Sequence, residues 1–117
     1  MSGKIKVIIY GASGMIGQGT LRECLNDPQI ESVLSIGRSS LNITNLKLKE
    51  LKHQDLTKYE GLDSQLSGYD ACFFCLGTTS AGKNETEYTN VTYNFTIAAA
   101  EVLSRQNPKM TFIYVSA

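Results

Sequence analysis

Hydrophobic and polar positions along this chain switch between two periods. Residues 5–10 form an almost continuous apolar run that breaks straight into Gly11-Ala12-Ser13-Gly14-Met15-Ile16-Gly17. A short apolar run bounded by glycine reads as a strand buried on both faces. Ile16, Thr20, Leu21, Cys24 and Leu25 then recur at helical spacing, and Asp27-Pro28 closes that helix. Residues 32–36 predict a second strand, stopped by Gly37-Arg38-Ser39-Ser40. The stretch 41–47 is polar without a helical period, and 48–53 reads as a weak third strand leading into Gln54-Asp55-Leu56. Residues 59–66 predict a short helix interrupted by Gly61, and 71–76 a strong fourth strand. After the small, polar loop 77–83, residues 85–105 predict a long helix. Its apolar face is Tyr88, Val91, Phe95, Ala98, Val102 and Leu103. Asn107-Pro108 ends that helix, and 110–115 predict the fifth strand.

Strands alternating with helices predict an α/β fold, a doubly wound parallel sheet with helices on both faces. The glycine-rich turn after strand one favours strand order 3-2-1-4-5, with a ligand at the switch point between strands one and four. Glycine at the turn adopts backbone conformations other residues resist, and glycine where a phosphate approaches removes the obstructing Cβ. The helix that follows offers free N–H groups and a positive dipole end, suited to a dinucleotide pyrophosphate. A ligand-free strand-to-helix connection is the plainer alternative. The position of the motif, after a β-rich run and before an amphipathic helix, favours the nucleotide.

Composition narrows the class. At 117 residues the chain makes one domain, 1–117, and not two. With 11 basic and 11 acidic side chains in balance, nothing electrostatic points to nucleic acid or an anionic membrane. No apolar run approaches the ~20 residues of a membrane span, and no secretory leader is evident, so a cytoplasmic setting is expected. Three cysteines, an odd number, argue against a disulfide framework. Cys72 and Cys75 spell C-x-x-C, but inside an apolar strand, where residues three apart point to opposite faces. Both are expected to be small core residues, and with His53 the sole histidine no metal site is expected.

The residues resemble the short-chain dehydrogenase/reductase superfamily in its extended and atypical branches, which include nucleoside-diphosphate-sugar epimerase-like proteins. Those branches carry G-x-x-G-x-x-G, as residues 11–17 do. Gly37-Arg38-Ser39, Asp55-Leu56 and Gly77-Thr78-Thr79 fall after strands two, three and four, where that superfamily touches its cofactor. The resemblance implies a Rossmann domain that binds NAD(P) through Gly11, Ala12, Ser13, Gly14, Met15, Ile16 and Gly17. It implies further contacts from Arg38, Ser39, Asp55, Leu56, Gly77, Thr78 and Thr79. Asp55 would bond the adenine amino group beside the Leu56 backbone, and Gly77 and Thr78 would line the ribose and pyrophosphate. A turn cap is the plain alternative for Asp55, and an ordinary loop for Thr78 and Thr79.

Two departures from the family pattern matter. Thr92 stands where its helix-four asparagine falls, and none of the six tyrosines has a lysine four residues on. In the family that tyrosine is the general acid/base. Ser116 lies near the place of the catalytic serine or threonine, with Ala117 as the alternative equivalent. The C-terminal part of the family fold is absent from the chain, so a domain of a longer protein is expected. A stand-alone domain would need to pair its fifth strand with another subunit as a homo-oligomer.

The expected function is therefore the NAD(P)-binding part of an oxidoreductase or epimerase-like enzyme that transfers hydride at a carbonyl or hydroxyl carbon of a small molecule. NADP is expected over NAD, because strand two ends Ile36-Gly37-Arg38-Ser39 without a carboxylate for a ribose 2′-hydroxyl. Two other functions compete. One is a dinucleotide sensor or partner-binding module without catalysis. The other is a phosphate-loop protein, from Gly77 through Gly82-Lys83, weakened by Asn84 in place of the magnesium-binding serine or threonine.

Overall fold

The computed structural model describes residues 4–12, 14–37, 41, 43–52, 59, 61–75 and 85–114, with residue 63 and residues 85–95 described by backbone alone. The chain runs β1 (Ile5–Tyr10), α1 (Met15–Asn26), β2 (Ile30–Gly37), β3 (Leu48–Lys52), α2 (Asp63–Leu66), β4 (Ala71–Phe74), α3 (Glu85–Gln106) and β5 (Thr111–Tyr114). All strand pairings are parallel, in the order β3-β2-β1-β4-β5. This is the predicted doubly wound sheet.

Its burial follows from the sequence pattern. Val7, Ile8, Ile9 and Tyr10 of the central strand are all wholly buried. Helices cover both faces there, so neither face tolerates a polar side chain. Val7, Ile9 and Val33 pack with Leu21 and Cys24 of α1. On the opposite face Ile8, Tyr10, Leu34, Cys72 and Phe74 pack with Leu66 of α2 and Ala99, Val102 and Leu103 of α3. The outer strand β3, Leu-Lys-Glu-Leu-Lys, has no buried residue. On the other edge, β5 leaves Ile113 and Tyr114 exposed.

Helix boundaries depart from expectation where local geometry decides. The helix expected over 59–66 shortens to Asp63–Leu66. Gly61 has φ +79°, which a helix cannot contain, and Leu62 before the helix is non-helical at ψ 3°. β2 begins at Ile30, two residues earlier than predicted. The Asp27 carboxylate accepts from the Gln29 N–H at 2.8 Å, and Gln29 returns its carbonyl to Ile5 at 2.8 Å. That turn feeds the chain directly from α1 into the sheet.

Asn107 does more than end α3. Its Nδ2 donates to the Leu66 carbonyl at 2.7 Å and the Leu103 carbonyl at 3.2 Å. Its Oδ1 accepts from the N–H groups of Gly68 and Tyr69 at 2.8 and 2.9 Å. One buried amide thus ties α2 and the start of the β4 approach to the end of α3.

Candidate dinucleotide-binding site

The three glycines of the first turn do three separate jobs. Gly11 has φ +76°, a conformation that side chains rarely adopt. It lets the chain reverse direction at the end of β1, and the Gly14 N–H closes the turn on the Gly11 carbonyl at 3.1 Å. Gly17 is set by packing. A Cβ there would lie 1.8 Å from the Gly11 oxygen and 2.9 Å from the Ala12 Cα, so only glycine lets α1 sit this close to the turn. Gly14 differs from both. A Cβ there would meet no described residue nearer than 3.5 Å, ordinary contact, so among the described residues nothing fills the room beside it.

Gly14 is also the N-cap of α1, with extended backbone at φ −79° and ψ 171°. The first intrahelical bond runs from the Gln18 N–H to the Gly14 carbonyl at 2.8 Å. A glycine cannot cap with a side chain, and the first helical turn carries no acidic residue. Among the described residues no side chain caps the leading N–H groups at the positive end of this 12-residue helix. They stand at the carboxyl end of β1. There the topology turns one way through α1 to β2 and the other way to β4, which opens a crevice at that end of the sheet. β1 and β4 stay joined to the crevice floor, where the Cys75 N–H donates to the Tyr10 carbonyl at 3.0 Å. Met15 is almost fully exposed, and Ala12 is buried beneath the turn.

Of the residues expected to touch the cofactor, Gly11, Ala12, Gly14, Met15, Ile16 and Gly17 are brought together here. Ser13, Arg38, Ser39, Asp55, Leu56, Gly77, Thr78, Thr79 and Ser116 lie outside the described residues, as do Lys83 and Asn84 of the phosphate-loop pattern.

The cysteines lie on opposite sides of the sheet. Cys72 packs with α3, while the Cys75 thiol faces Thr20 Oγ1 of α1 at 4.0 Å. Burial raises both thiols above their ordinary range, and raises Cys24 likewise. All three are free. Among the described residues no group of His, Cys, Asp and Glu is arranged to hold a metal, and no helix is long and apolar enough to cross a membrane.

One buried polar feature escaped the sequence reading. The Tyr10 and Tyr59 hydroxyls share a hydrogen bond of 2.9 Å inside the core, beneath the crevice. Burial, and then the neighbouring Tyr59, push the Tyr10 phenol far above its ordinary range, so it stays neutral. The tyrosines are 49 residues apart, and no local pattern announces them.

A parallel sheet of this order with a glycine turn leading into an uncapped helix defines a Rossmann-type dinucleotide-binding domain. The chain belongs to the NAD dependent epimerase/dehydratase family, whose model matches residues 7–117. This places it in the short-chain dehydrogenase/reductase superfamily, with a nicotinamide dinucleotide as the class of cofactor. It is 30% identical over 99 residues to protein HTATIP2 of Rattus norvegicus, covering 82% of this chain and 40% of that protein. It is 26% identical over 117 residues to the mitochondrial protein FMP52 of Candida albicans, covering 97% of this chain and 51% of that protein. The chain thus spans 40–51% of the length of these relatives. Among solved structures it resembles Gre2 in complex with NADPH, from Candida albicans. The TM-score is 0.74 at 16% identity, over 97% of this chain and 37% of that one.

Proposed function

We propose that this chain is the NADP-binding domain of an oxidoreductase or epimerase-like enzyme that works by hydride transfer at a carbonyl or hydroxyl carbon of a small molecule. The observation that carries the reading is the division of labour among the glycines. Gly11 and Gly17 are required by the protein itself, whereas no described residue fills the space at Gly14, which supports a ligand lying against it. A pyrophosphate fits that space, because the uncapped N–H groups of α1 meet its charge.

In this reading the bound nicotinamide supplies the hydride chemistry, and the residues of this chain bind and orient. The glycine turn holds the pyrophosphate, Asp55 and Leu56 the adenine, and Gly77, Thr78 and Thr79 the ribose and pyrophosphate nearer the nicotinamide. Arg38 pairs with the 2′-phosphate through a planar charged fork, where a carboxylate would repel it. Ser116 is the candidate catalytic residue nearest the substrate.

A charge-assisted contact of this kind contributes ~1.5–3 kcal/mol, so NADPH should bind roughly ten- to a hundredfold tighter than NADH. Titration calorimetry on the unmodified protein and on Arg38→Ala tests this. The variant should lose most of the preference and keep its NADH affinity. Equal affinity of the unmodified protein for both cofactors would contradict the choice of NADP.

A dinucleotide sensor without catalysis is the second reading. Turnover assays on generic carbonyl substrates separate the two. The isolated 117-residue chain should bind cofactor without turnover. Catalysis by that chain would show that its proton donor lies within it.

A further inference from the structure

Residues 53–62 connect β3 to α2, and among its described residues Tyr59 is buried in the core, with Leu62 partly buried beside it. The Tyr59 hydroxyl shares its 2.9 Å bond with the hydroxyl of Tyr10. Tyr10 is held on every side. It closes β1, in register with Ile36 of β2 and Phe74 of β4, and its ring lies 4.9 Å from that of Phe74. Its carbonyl accepts from the Cys75 N–H. The Tyr10 hydroxyl is therefore a fixed post in the middle of the sheet, and Tyr59 is the partner that the bond holds in place.

The two tyrosines flank the two parts of the site. Tyr10 directly precedes Gly11 of the glycine turn. Tyr59 follows Asp55 by four residues and Leu56 by three, so the Cα of Asp55 lies within about 14 Å of the Cα of Tyr59 by chain length alone. Packing does not call for hydroxyls here. Two phenylalanines fill nearly the same space, and replacing both members of a buried hydrogen-bonded pair by apolar groups of like shape is close to neutral. What the bond adds is position, because it is made at one separation and angle, whereas apolar contacts tolerate sliding.

We propose that the Tyr10–Tyr59 bond sets the segment that reads the adenine in register with the glycine turn, which makes Tyr59 a positioning residue for adenine selection. The inference rests on the cofactor reading above, in which Asp55 meets the adenine amino group.

Calorimetric titration of the 117-residue protein with NADPH and with its hypoxanthine analogue, which carries a carbonyl in place of that amino group, tests it. The unmodified protein should prefer NADPH roughly tenfold, and Asp55→Ala should remove the preference. Tyr59→Phe and Tyr10→Phe should each reduce it to about threefold or less, and the double variant should lose no more than either single, since all three break the same bond. A smaller folded fraction lowers both affinities equally and leaves their ratio unchanged, so the ratio reads position rather than stability. A full preference in either single variant would overturn the inference. Equal affinity of the unmodified protein for the two nucleotides would overturn it too and leave dinucleotide binding intact. Failure of the unmodified protein to bind either nucleotide would overturn the cofactor reading and this inference with it.

Discussion

At the scale of single residues, the buried Tyr10–Tyr59 pair is the most exposed to test. The two hydroxyls share one hydrogen bond in the core, with both side chains buried. Removing one leaves its partner's hydroxyl short of a bond, a penalty of about 1–3 kcal/mol. Tyr59→Phe should therefore destabilise the protein by that amount in urea unfolding. The double variant Tyr10→Phe with Tyr59→Phe should cost less than the two singles added together, because it orphans neither hydroxyl. Additive costs would show that the hydrogen bond contributes nothing. The same pair predicts an alkaline response. The folded-state phenol of Tyr10 is raised above its unfolded value, so its neutral form is stabilising at neutral pH. Stability should fall as pH rises past about 10, where the unfolded tyrosine ionises and the folded one does not. Tyr10→Phe should flatten that part of the profile.

At the scale of elements, Asn107 joins α2 to α3 with bonds reaching back to Leu66, Gly68 and Tyr69. Asn107→Ala would strand carbonyls and N–H groups in a part-buried seam, and should cost about 2–3 kcal/mol in unfolding free energy. Asn107→Asp keeps the acceptor but sets a carboxylate oxygen against the Leu66 and Leu103 carbonyls, so at neutral pH it should cost at least as much as alanine. A loss below about 0.5 kcal/mol, the range of ordinary surface changes, would show the amide to be replaceable by water. Asn107 also marks what a sequence can and cannot reveal. β1, the glycine turn and the start of α1 were legible because their signals are local: an apolar run, then Gly11, Gly14 and Gly17 at fixed spacing. Strand order was legible because alternating elements and that turn leave few topologies. Shortening of α2 was only half legible, since Gly61 flagged an interruption but its positive φ decided where the helix begins. The bonds of Asn107 and the tyrosine pair were invisible, because their partners lie about 40–50 residues away and depend on how the layers stack. Within the site, sequence distinguished three glycines without distinguishing their jobs. Only the distances a Cβ would have to occupy separate Gly17, held by packing, from Gly14, open to a ligand.

At the scale of the whole molecule, the sheet and the two-sided helix layers form a framework that, in the proposed reading, presents the turn at the end of β1 to a dinucleotide. The central claim is that Gly14 is kept for the ligand and Gly17 for the fold. The most direct measurement pairs NADPH titration with thermal unfolding on two variants, Gly14→Val and Gly17→Ala. A side chain at position 17 collides with the Gly11 backbone, so Gly17→Ala should cost about 3 kcal/mol or more and lower the melting temperature by many degrees. The Cβ added at position 14 meets no atom of the described residues nearer than 3.5 Å, and its extended backbone suits a β-branched residue. Gly14→Val should therefore melt close to the unmodified protein and yet lose NADPH binding. Retained affinity in a folded Gly14→Val protein would contradict the account, because it would mean that the dinucleotide does not lie against this turn.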